Sequence, residues 1–246
     1  MTNQTGFSSP RRALMRGSVA AVLAGFVPAA PAEAQTAPAP IANAEAIAAR
    51  LVALNVAIPP AGVGALTTIT ISRPGERMTD ADMALIAELT GLTSLSFSIL
   101  LQITPAGFAH LARLPRLERL YISSSPITAA GVAALGPAPA LRILDLSTNR
   151  AINDAAMVPV ATMRGLTSLS IPGTAVTDAG LALLVGHPAL RELRIMGLAV
   201  SDAGLLTLAR IPTLASVNAR GTQVTEAGIA AALAVPGRHA SLAITR

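Results

Sequence analysis

Several residue types are missing or scarce in this chain of 246 residues. It has no cysteine and no tryptophan, only one tyrosine and only four phenylalanines. The absence of cysteine excludes disulfides and thiolate chemistry. Because large aromatic side chains are so few, the core must be built from Leu, Ile, Val and Ala. That composition suits thin, repeated layers better than one deep globular centre.

Lysine is also absent, so all 18 basic residues are arginines, set against 13 acidic residues for a net charge of +5. Residues 1–34 contain three of these arginines and one glutamate, and the rest of the chain therefore carries only +3. Nucleic-acid binding demands a concentrated basic face with stacking aromatic residues, so this composition argues against a nucleic-acid partner. With 52% hydrophobic residues, the chain has ample material for a core.

The first 34 residues have the three parts of a secretory signal. The segment 9–16 reads Ser-Pro-Arg-Arg-Ala-Leu-Met-Arg, a weakly apolar run follows over 17–30, and the triplet Ala-Glu-Ala at 32–34 predicts cleavage before Gln35. The paired arginines resemble a twin-arginine signal, although Pro10 stands where that motif has Ser or Thr, so the general secretory route stays open. An uncleaved membrane anchor is the alternative, but the run is too short to span about 30 Å of hydrocarbon. We expect export to the periplasm or outside the cell, with no membrane span after cleavage.

Two short segments separate this signal from the rest of the chain. Residues 35–40 read Gln-Thr-Ala-Pro-Ala-Pro, which is typical of a flexible linker. Residues 41–55 have helical spacing of apolar residues and no helix breaker, and Pro59 and Pro60 follow. The sequence therefore predicts an N-terminal helix and cap over 41–65.

From residue 66 to 246 the chain is a tandem repeat, with an L-x-x-L-x-L frame that recurs every 24–26 residues. Alternation within the frame places two apolar side chains on one side of a short strand. The copies are Leu66/Ile69/Ile71, Leu92/Leu95/Phe97, Leu117/Leu120/Ile122, Leu141/Leu144/Leu146, Leu166/Leu169/Ile171, Leu190/Leu193/Ile195, Leu214/Val217/Ala219 and a degraded His239/Leu242/Ile244.

A second phrase recurs between the predicted strands. It reads Val-Thr-Asp-Ala-Gly-Leu at 176–181, with close copies at 200–205 and 224–229 and looser ones at 103–108, 127–132 and 152–157. The hydroxyl residue predicts a helix N-cap, and an acidic residue just inside it favours the positive end of the helix. The glycine predicts close approach to the neighbouring coil. One such unit cannot bury its apolar face alone, so the units must stack.

The two phrases together resemble the leucine-rich-repeat family over residues 66–244, and most closely its bacterial and F-box-associated variants with x-T-D-x-G-L helices. The resemblance implies an α/β, right-handed solenoid of about eight coils, with parallel strands on the concave face and short helices on the convex face. In such variants a polar residue after the strand bonds exposed backbone between coils. Ser125, Asn149, Thr174 and Thr222 occupy that slot here, whereas Pro74, Leu100 and Leu198 depart from the pattern.

The same resemblance implies that side chains flanking the apolar frame point out of the concave face. Tyr and Arg are enriched at binding hot spots, and both occur in this set. The alternative is that these are solvated strand residues forming lateral ion pairs of little energetic value. The predicted partner-binding residues are Arg119, Tyr121, Asp145, Ser170, Glu192, Arg194, Asn218 and Arg220.

No catalytic, metal-binding or cofactor-binding residues are predicted. The three histidines fall in different repeats, and His110 and His187 are placed near helix C-termini, where a cation suits the helix dipole. Each acidic residue of the helical phrase stands alone at a helix start, and the Gly-x-Gly stretch at 62–64 matches no nucleotide-binding fingerprint. We therefore expect a protein that is not an enzyme and needs no cofactor.

The leading hypothesis is an exported binding module that contacts a protein of unknown identity through its concave face. The alternatives are a structural, envelope-associated repeat that uses its convex and terminal surfaces, or a secreted, host-directed effector. The last frame is followed by no further repeat in this sequence. We expect either weak end-to-end self-association through the C-terminal edge strand or fraying of residues 238–246.

Overall fold

Strands and helices alternate along the chain in the computed structural model, which describes residues 41–75 and 78–246. The predicted signal and linker lie outside the described residues. The strands are β1 Thr68–Gly75, β2 Ser94–Leu100, β3 Arg119–Ser123, β4 Ile143–Asp145, β5 Ser168–Ser170, β6 Glu192–Arg194, β7 Ser216–Asn218 and β8 Ala243–Thr245.

One helix precedes the strands, and one helix follows each strand from β1 to β7. The helices are α1 Ala44–Ala53, α2 Asp80–Ile86, α3 Pro105–Leu111, α4 Ala129–Ala134, α5 Met157–Thr162, α6 Asp178–Ala182, α7 Asp202–Leu208 and α8 Glu226–Leu233, with short 3₁₀ turns at Val63–Ala65 and Asp154–Ala156. We call each strand together with the helix after it a coil, so that coil 1 is β1 with α2 and coil 8 is β8 alone.

All eight strands form one parallel sheet in chain order, which gives an α/β solenoid, as predicted. The fourth residue of each repeat frame aligns across the sheet, from Ile69 and Leu95 at one end to Leu193 and Val217 near the other. These side chains are at most 1% exposed. The register confirms the first seven copies of the frame, because an apolar row buried on one side fixes the pairing.

The eighth copy of the frame lies two residues later than the sequence predicts. Ile244 pairs with Val217, so it occupies the fourth position of the frame rather than the sixth. Coil 7 is therefore longer than coil 6, because Ile244 lies 27 residues after Val217, whereas Val217 lies 24 residues after Leu193. The additional residues lie after α8, where Gly237 has a φ of +77° and turns the chain. Leu242, one residue before β8, is buried where the frame predicted a strand position.

A continuous core runs through the stack. Its buried residues extend from Ile47 in α1 to Leu242 beside β8, all within the compact unit formed by residues 38–246. This unit therefore contains a hydrophobic core of its own. In the described part of the chain, no helix has the length and apolar character needed to cross a membrane.

The polar residues after β3 and β4 bond the backbone of neighbouring coils, as the resemblance implies. Asn149, which is fully buried, donates from Nδ2 to the carbonyls of Ile122 and Leu146 and accepts from the backbone N–H of Ser125. Ser125 in turn accepts from the backbone N–H of Leu100 at 2.9 Å. Buried backbone groups that the short strands leave unpaired are thus satisfied by side chains. Thr174 and Thr222 act more locally, each donating to a carbonyl three residues earlier.

His187 occupies a core position that Leu89, Leu114, Met163 and Ile211 fill in other coils, and only 4% of it is exposed. Its Nε2 lies 3.1 Å from the carbonyl of Met163, and its Nδ1 accepts from two backbone N–H groups. A carbonyl only accepts, so these partners require the neutral ring with hydrogen on Nε2. Burial lowers the pKa of His187, more than the bond to Met163 raises it, and Arg164 lowers it further. The prediction of a cation at a helix terminus is therefore wrong for this histidine.

Candidate functional site

The side of the sheet that faces away from the apolar row is called the outer face; the sequence predicts it to be concave. Two rows of side chains form it, one starting at Thr68 and the other at Thr70. Arg119 and Glu192 lie in the first row, and Arg220 follows the second row by two residues. The second row contains the remaining predicted binding residues, Tyr121, Asp145, Ser170, Arg194 and Asn218.

At β3 the outer face presents Arg119 and Tyr121, both half-buried. One nitrogen of Arg119 lies 3.5 Å from a carboxylate oxygen of Glu118, and its other terminal nitrogen donates to the Thr93 hydroxyl at 3.4 Å. The guanidinium is therefore partly engaged within the chain. Tyr121 lies between its neighbours Ser96 and Asp145 in the second row.

In the middle of the outer face, the polar side chains are hydrogen-bonded within the chain. Asp145 accepts from the backbone N–H of Ser147 at 2.8 Å and also from its hydroxyl. The Ser147 hydroxyl in turn lies 3.1 Å from that of Ser170. Ser170 is only 6% exposed, so it offers a partner very little surface. The carboxylate of Asp145 is thus committed to the fold of its own turn.

The charges at β6 and β7 are arranged differently. Glu192 accepts from the Ser168 hydroxyl at 3.4 Å, whereas the exposed guanidiniums of Arg194 and Arg220 make no ion pair or side-chain hydrogen bond with any described residue. The lateral ion pairs that were the alternative interpretation do not occur among the described outer-face residues. The carboxylates of this face are engaged, and two of its arginines keep their full hydrogen-bonding capacity.

Sequence reasoning missed a row of carboxylates on the edge where each strand leads into its helix, which we call the strand-to-helix edge. Asp178 accepts from the backbone N–H of Ser201 at 3.0 Å and from its hydroxyl at 2.5 Å, although Ser201 belongs to the next coil. Asp154 binds Thr177 in the same way, and Asp202 binds Thr225. These acids do more than complement the dipole of their own helix, because each fixes the N-cap residue of the following one.

The glycine of the helical phrase leaves the space that this carboxylate occupies. A Cβ on Gly204 would overlap the Asp178 carboxylate, and Gly180 and Gly228 stand in the same relation to Asp154 and Asp202. Coil 4, which has no glycine in its helical phrase, is consistent with this pairing of acid and glycine. Ala156 replaces the glycine only where the preceding coil has Ala129 in place of the acid. The prediction of close approach at the glycine is confirmed. An aspartate of the neighbouring coil approaches Gly107, Gly180, Gly204 and Gly228, whereas Ile127 and Phe108 approach Gly131.

These hydrogen bonds alter the acidity of one member of the row. The backbone N–H and then the hydroxyl of Thr225 lower the pKa of Asp202, against a smaller opposing effect of desolvation. Accepting two bonds stabilises the ionised form. The pairing of Asp202 with Thr225 is therefore sensitive to acid.

At the N-terminal end a buried carboxylate ties α1 to coil 1. Arg50 donates from Nε to one oxygen of Asp82 at 2.5 Å and from a terminal nitrogen to the other at 2.9 Å. Burial alone raises the pKa of Asp82, but the bonds from Arg50 and Thr79 outweigh it and the net pKa is lowered. Asp82 also completes a capping box with Thr79. This bidentate pair fastens α1 to the first coil of the solenoid.

The described residues contain a small apolar cavity and no cluster suited to a metal. The cavity has a volume of about 60 Å³ and lies between the connections that follow α3 and α4. Ala138 lines it, at the position where other coils have larger core residues such as Leu114 and Met163. Within the described ranges, no three His, Asp or Glu side chains could hold a metal ion together.

Comparison with known proteins gives weak likenesses only. No protein-family model matches the chain, and no curated protein matches it. Among solved structures, internalin C2 from Listeria monocytogenes is 20% identical, with a TM-score of 0.47 over 81% of this chain and 91% of that one. A plant ice-binding protein is 18% identical, with a TM-score of 0.38 over 65% of this chain and 47% of the other. The fold assignment therefore rests on the strands and helices of this chain itself.

Proposed function

We propose that this chain is an exported protein-interaction module that binds a protein partner through the outer face of its sheet. The solenoid builds an extended surface from short strands, with a side chain presented at each regular step. The observation that carries the proposal is the pair of exposed arginines, Arg194 and Arg220, which have no partner among the described residues. Arginine and tyrosine together are typical of interface hot spots, and Tyr121 lies on the same face.

The contribution expected from each residue follows from its contacts. Arg194, Arg220 and Asn218 form the more available end of the face, and Tyr121 with Arg119 adds an aromatic surface at β3. Asp145 and Ser170 are bonded within the chain, so we assign them a supporting role in holding the turn between β4 and β5. Glu192 is exposed beside Arg194 and sets the charge pattern that a partner must match.

A triple substitution tests the site. The chain without residues 1–34 and its Arg119→Ala/Tyr121→Ala/Arg194→Ala variant are immobilised in parallel, and proteins captured from envelope and culture fractions are identified by mass spectrometry. A matched control carries Val158→Ala, Leu183→Ala and Val185→Ala on the helices. The proposal expects a partner that the unmodified chain and the helix control retain and the outer-face variant loses. A partner lost only by the helix control places the binding surface on the helices and overturns the proposal.

Export has its own test, because it depends on residues 1–34 and not on the outer face. Expression of the whole chain in a bacterium, followed by mass measurement, should give a product that begins at Gln35 in the periplasmic or culture fraction. Replacing Arg11 and Arg12 by Lys distinguishes the routes, since a twin-arginine signal requires the pair and the general route requires only positive charge. Full-length protein retained in the cytoplasm would contradict export.

The second candidate function is a structural, envelope-associated repeat. The observation that favours it is the uncharged surface of the helices, where Val158, Leu183 and Val185 are 56%, 44% and 43% exposed. Exposed apolar side chains grouped in this way are typical of contact surfaces. In that case the helix control, and not the outer-face variant, loses its partner.

A further inference from the structure

The edge on which each helix leads into the next strand, here called the helix-to-strand edge, carries a row of arginines. Because the strands are parallel and in register, all of these connections lie along one edge of the solenoid. From the end of α3 onward, a part of the chain that the structure describes throughout, each connection contains at least one arginine. They are Arg113, Arg116, Arg142, Arg164, Arg191, Arg210 and Arg238.

Acidic residues do not neutralise this row. Over the same connections the only carboxylate is Glu118, and it contacts Arg119 of the outer face. Arg142 and Arg238 donate to backbone carbonyls of their own or a neighbouring connection. The other five guanidiniums are exposed and make no ion pair or side-chain hydrogen bond with a described residue. The edge therefore presents a line of available cations at successive coils, which are about 4.8 Å apart.

The helix surface beside this edge lacks charge of either sign. In α3 to α8, all within the described residues, no Asp, Glu, Lys or Arg occurs beyond the first helical residue. The exposed positions are mainly alanine, with Val158 near the start of α5 and three other large apolar side chains close to the arginine edge. Leu183 and Val185 follow the end of α6, and Leu233 is the last residue of α8, with 36% of its surface exposed. Ordinary solvent-facing helices carry charged side chains on their outer surface.

We propose that the helices of coils 2 to 7 and the helix-to-strand edge together form a docking surface for an anionic lipid bilayer. An uncharged surface with protruding Leu and Val side chains fits the boundary between headgroups and acyl chains, and a row of arginines beside it fits anionic headgroups. Arginine holds phosphate oxygens in bidentate fashion, which favours phospholipid headgroups over simple counter-ions. This surface is separate from the outer face, so a protein bound to the sheet and a membrane bound to the helices occupy different sides.

Two other occupants of this surface can be distinguished from a lipid bilayer. A second copy of the chain could cover the apolar helices, but it would bring few free carboxylates to the arginines, since Asp154, Asp178 and Asp202 are bonded within the fold. A water-soluble partner protein would need to supply its own acidic row. An anionic bilayer supplies negative charge for the arginines at its surface and an apolar interior for the Leu and Val side chains.

The test uses co-sedimentation with vesicles. The chain without residues 1–34 is used, because the segment removed contains an apolar run of its own and the unit 38–246 holds its own core. Vesicles of phosphatidylcholine alone are compared with vesicles that contain one third phosphatidylglycerol. We expect binding to the anionic vesicles only, weakened by added salt because exposed charges are screened. Equal binding to both kinds, or binding to neither, overturns the proposal.

A matched pair of variants locates the surface. Arg191→Ala/Arg210→Ala removes two charges from the helix-to-strand edge, and Arg194→Ala/Arg220→Ala removes two from the outer face of neighbouring coils. The first should weaken vesicle binding about thirtyfold and the second by less than about threefold. Leu183→Gln/Val185→Gln should weaken it about tenfold with the charge unchanged. Circular dichroism of each variant shows whether the fold is kept.

Three results would contradict the assignment. An equal loss in the two arginine variants would mean that net charge alone drives binding. An unchanged affinity in the Leu183/Val185 variant would remove the helices from the surface. Concentration-dependent dimers in sedimentation velocity, abolished by that same variant, would assign the helices to a second copy of the chain. Loss of vesicle binding leaves the outer-face proposal untouched, since protein capture is measured on the other side.

Discussion

The two edges of this solenoid use charge in opposite ways. On the strand-to-helix edge, aspartates such as Asp154 and Asp178 are bonded to the next coil and meet a glycine there. On the helix-to-strand edge, arginines such as Arg164 and Arg191 point into solvent without a partner among the described residues. The acids serve the stacking of coils, while the bases remain available to another molecule. A repeat can thus divide stability and binding between its edges.

The largest effect is expected where a glycine of the helical phrase packs against the aspartate of the preceding coil. Gly204→Ala places a Cβ against the Asp178 carboxylate and 3.1 Å from Val200. Overpacking of this kind should cost about 2–3 kcal/mol of unfolding free energy. Urea unfolding followed by circular dichroism measures it. Gly64→Ala is the control, because Gly64 also has no positive φ and its added Cβ would make only an ordinary contact of 3.7 Å with Ile41.

Gly204→Ala should lower the unfolding free energy less when Asp178 has already been replaced. In Asp178→Ala/Gly204→Ala the pair resembles Ala129 and Ala156, which stack naturally at the junction of coils 3 and 4. We expect the two changes to be non-additive by about 1 kcal/mol or more, because the overlap disappears with the carboxylate. Strict additivity in the double-mutant cycle would show that the glycine is conserved between coils for some other reason.

A smaller effect concerns mild acid and the buried His187. Its pKa in the folded chain lies below the ordinary 6.5, so the unfolded chain binds a proton first as the pH falls. Stability should therefore decrease as the pH drops below 6.5 towards the folded pKa, and be regained at higher pH. His187→Leu, which copies Leu114, should remove this dependence. Between pH 7 and 5 the slope of the unfolding free energy should be on the order of a single proton's contribution. If the His187→Leu variant keeps that slope, His187 is not its source.

Strong acid should weaken the bond between Asp202 and Thr225 on the strand-to-helix edge. The pKa of Asp202 is lowered in the folded chain, so its contribution is present above the ordinary value of 3.8 and is lost as the pH falls through the lower folded value. In Asp202→Asn the stability should fall less steeply below pH 3.8 than in the unmodified chain. Thermal unfolding across that range measures the difference. Parallel curves would show that the bonds to Thr225 do not stabilise the ionised carboxylate.

Much of the fold could be predicted from the sequence because stacking imposes a periodic pattern. The apolar frame fixed seven of the eight strands, since a shift of one residue would expose the whole buried row. It failed at β8, where the added turn around Gly237 moved the register and a nearby leucine resembled a frame position. Local pattern matching cannot detect an insertion that lies between two degenerate copies.

The bonds between coils were harder to predict. A carboxylate at a helix start has an adequate local explanation in the helix dipole, so nothing in a single repeat points to the next one. The signal lies in the comparison of successive repeats, where an acid in one coil is followed by glycine in the next, and Ala129 is followed by Ala156. His187 was misjudged for a related reason, because its position near a helix end gave no sign that its side chain fills a core slot.

The contrast between the two edges can be measured directly with one pair of variants. Asp154→Ala/Asp178→Ala and Arg164→Ala/Arg191→Ala each remove two charges from neighbouring coils, one pair from each edge, and both are unfolded in urea at neutral pH. We predict a loss of about 1–2 kcal/mol for each aspartate and less than about 0.5 kcal/mol for each arginine. Equal losses from the two edges would contradict the division between structural acids and available bases on which this account rests.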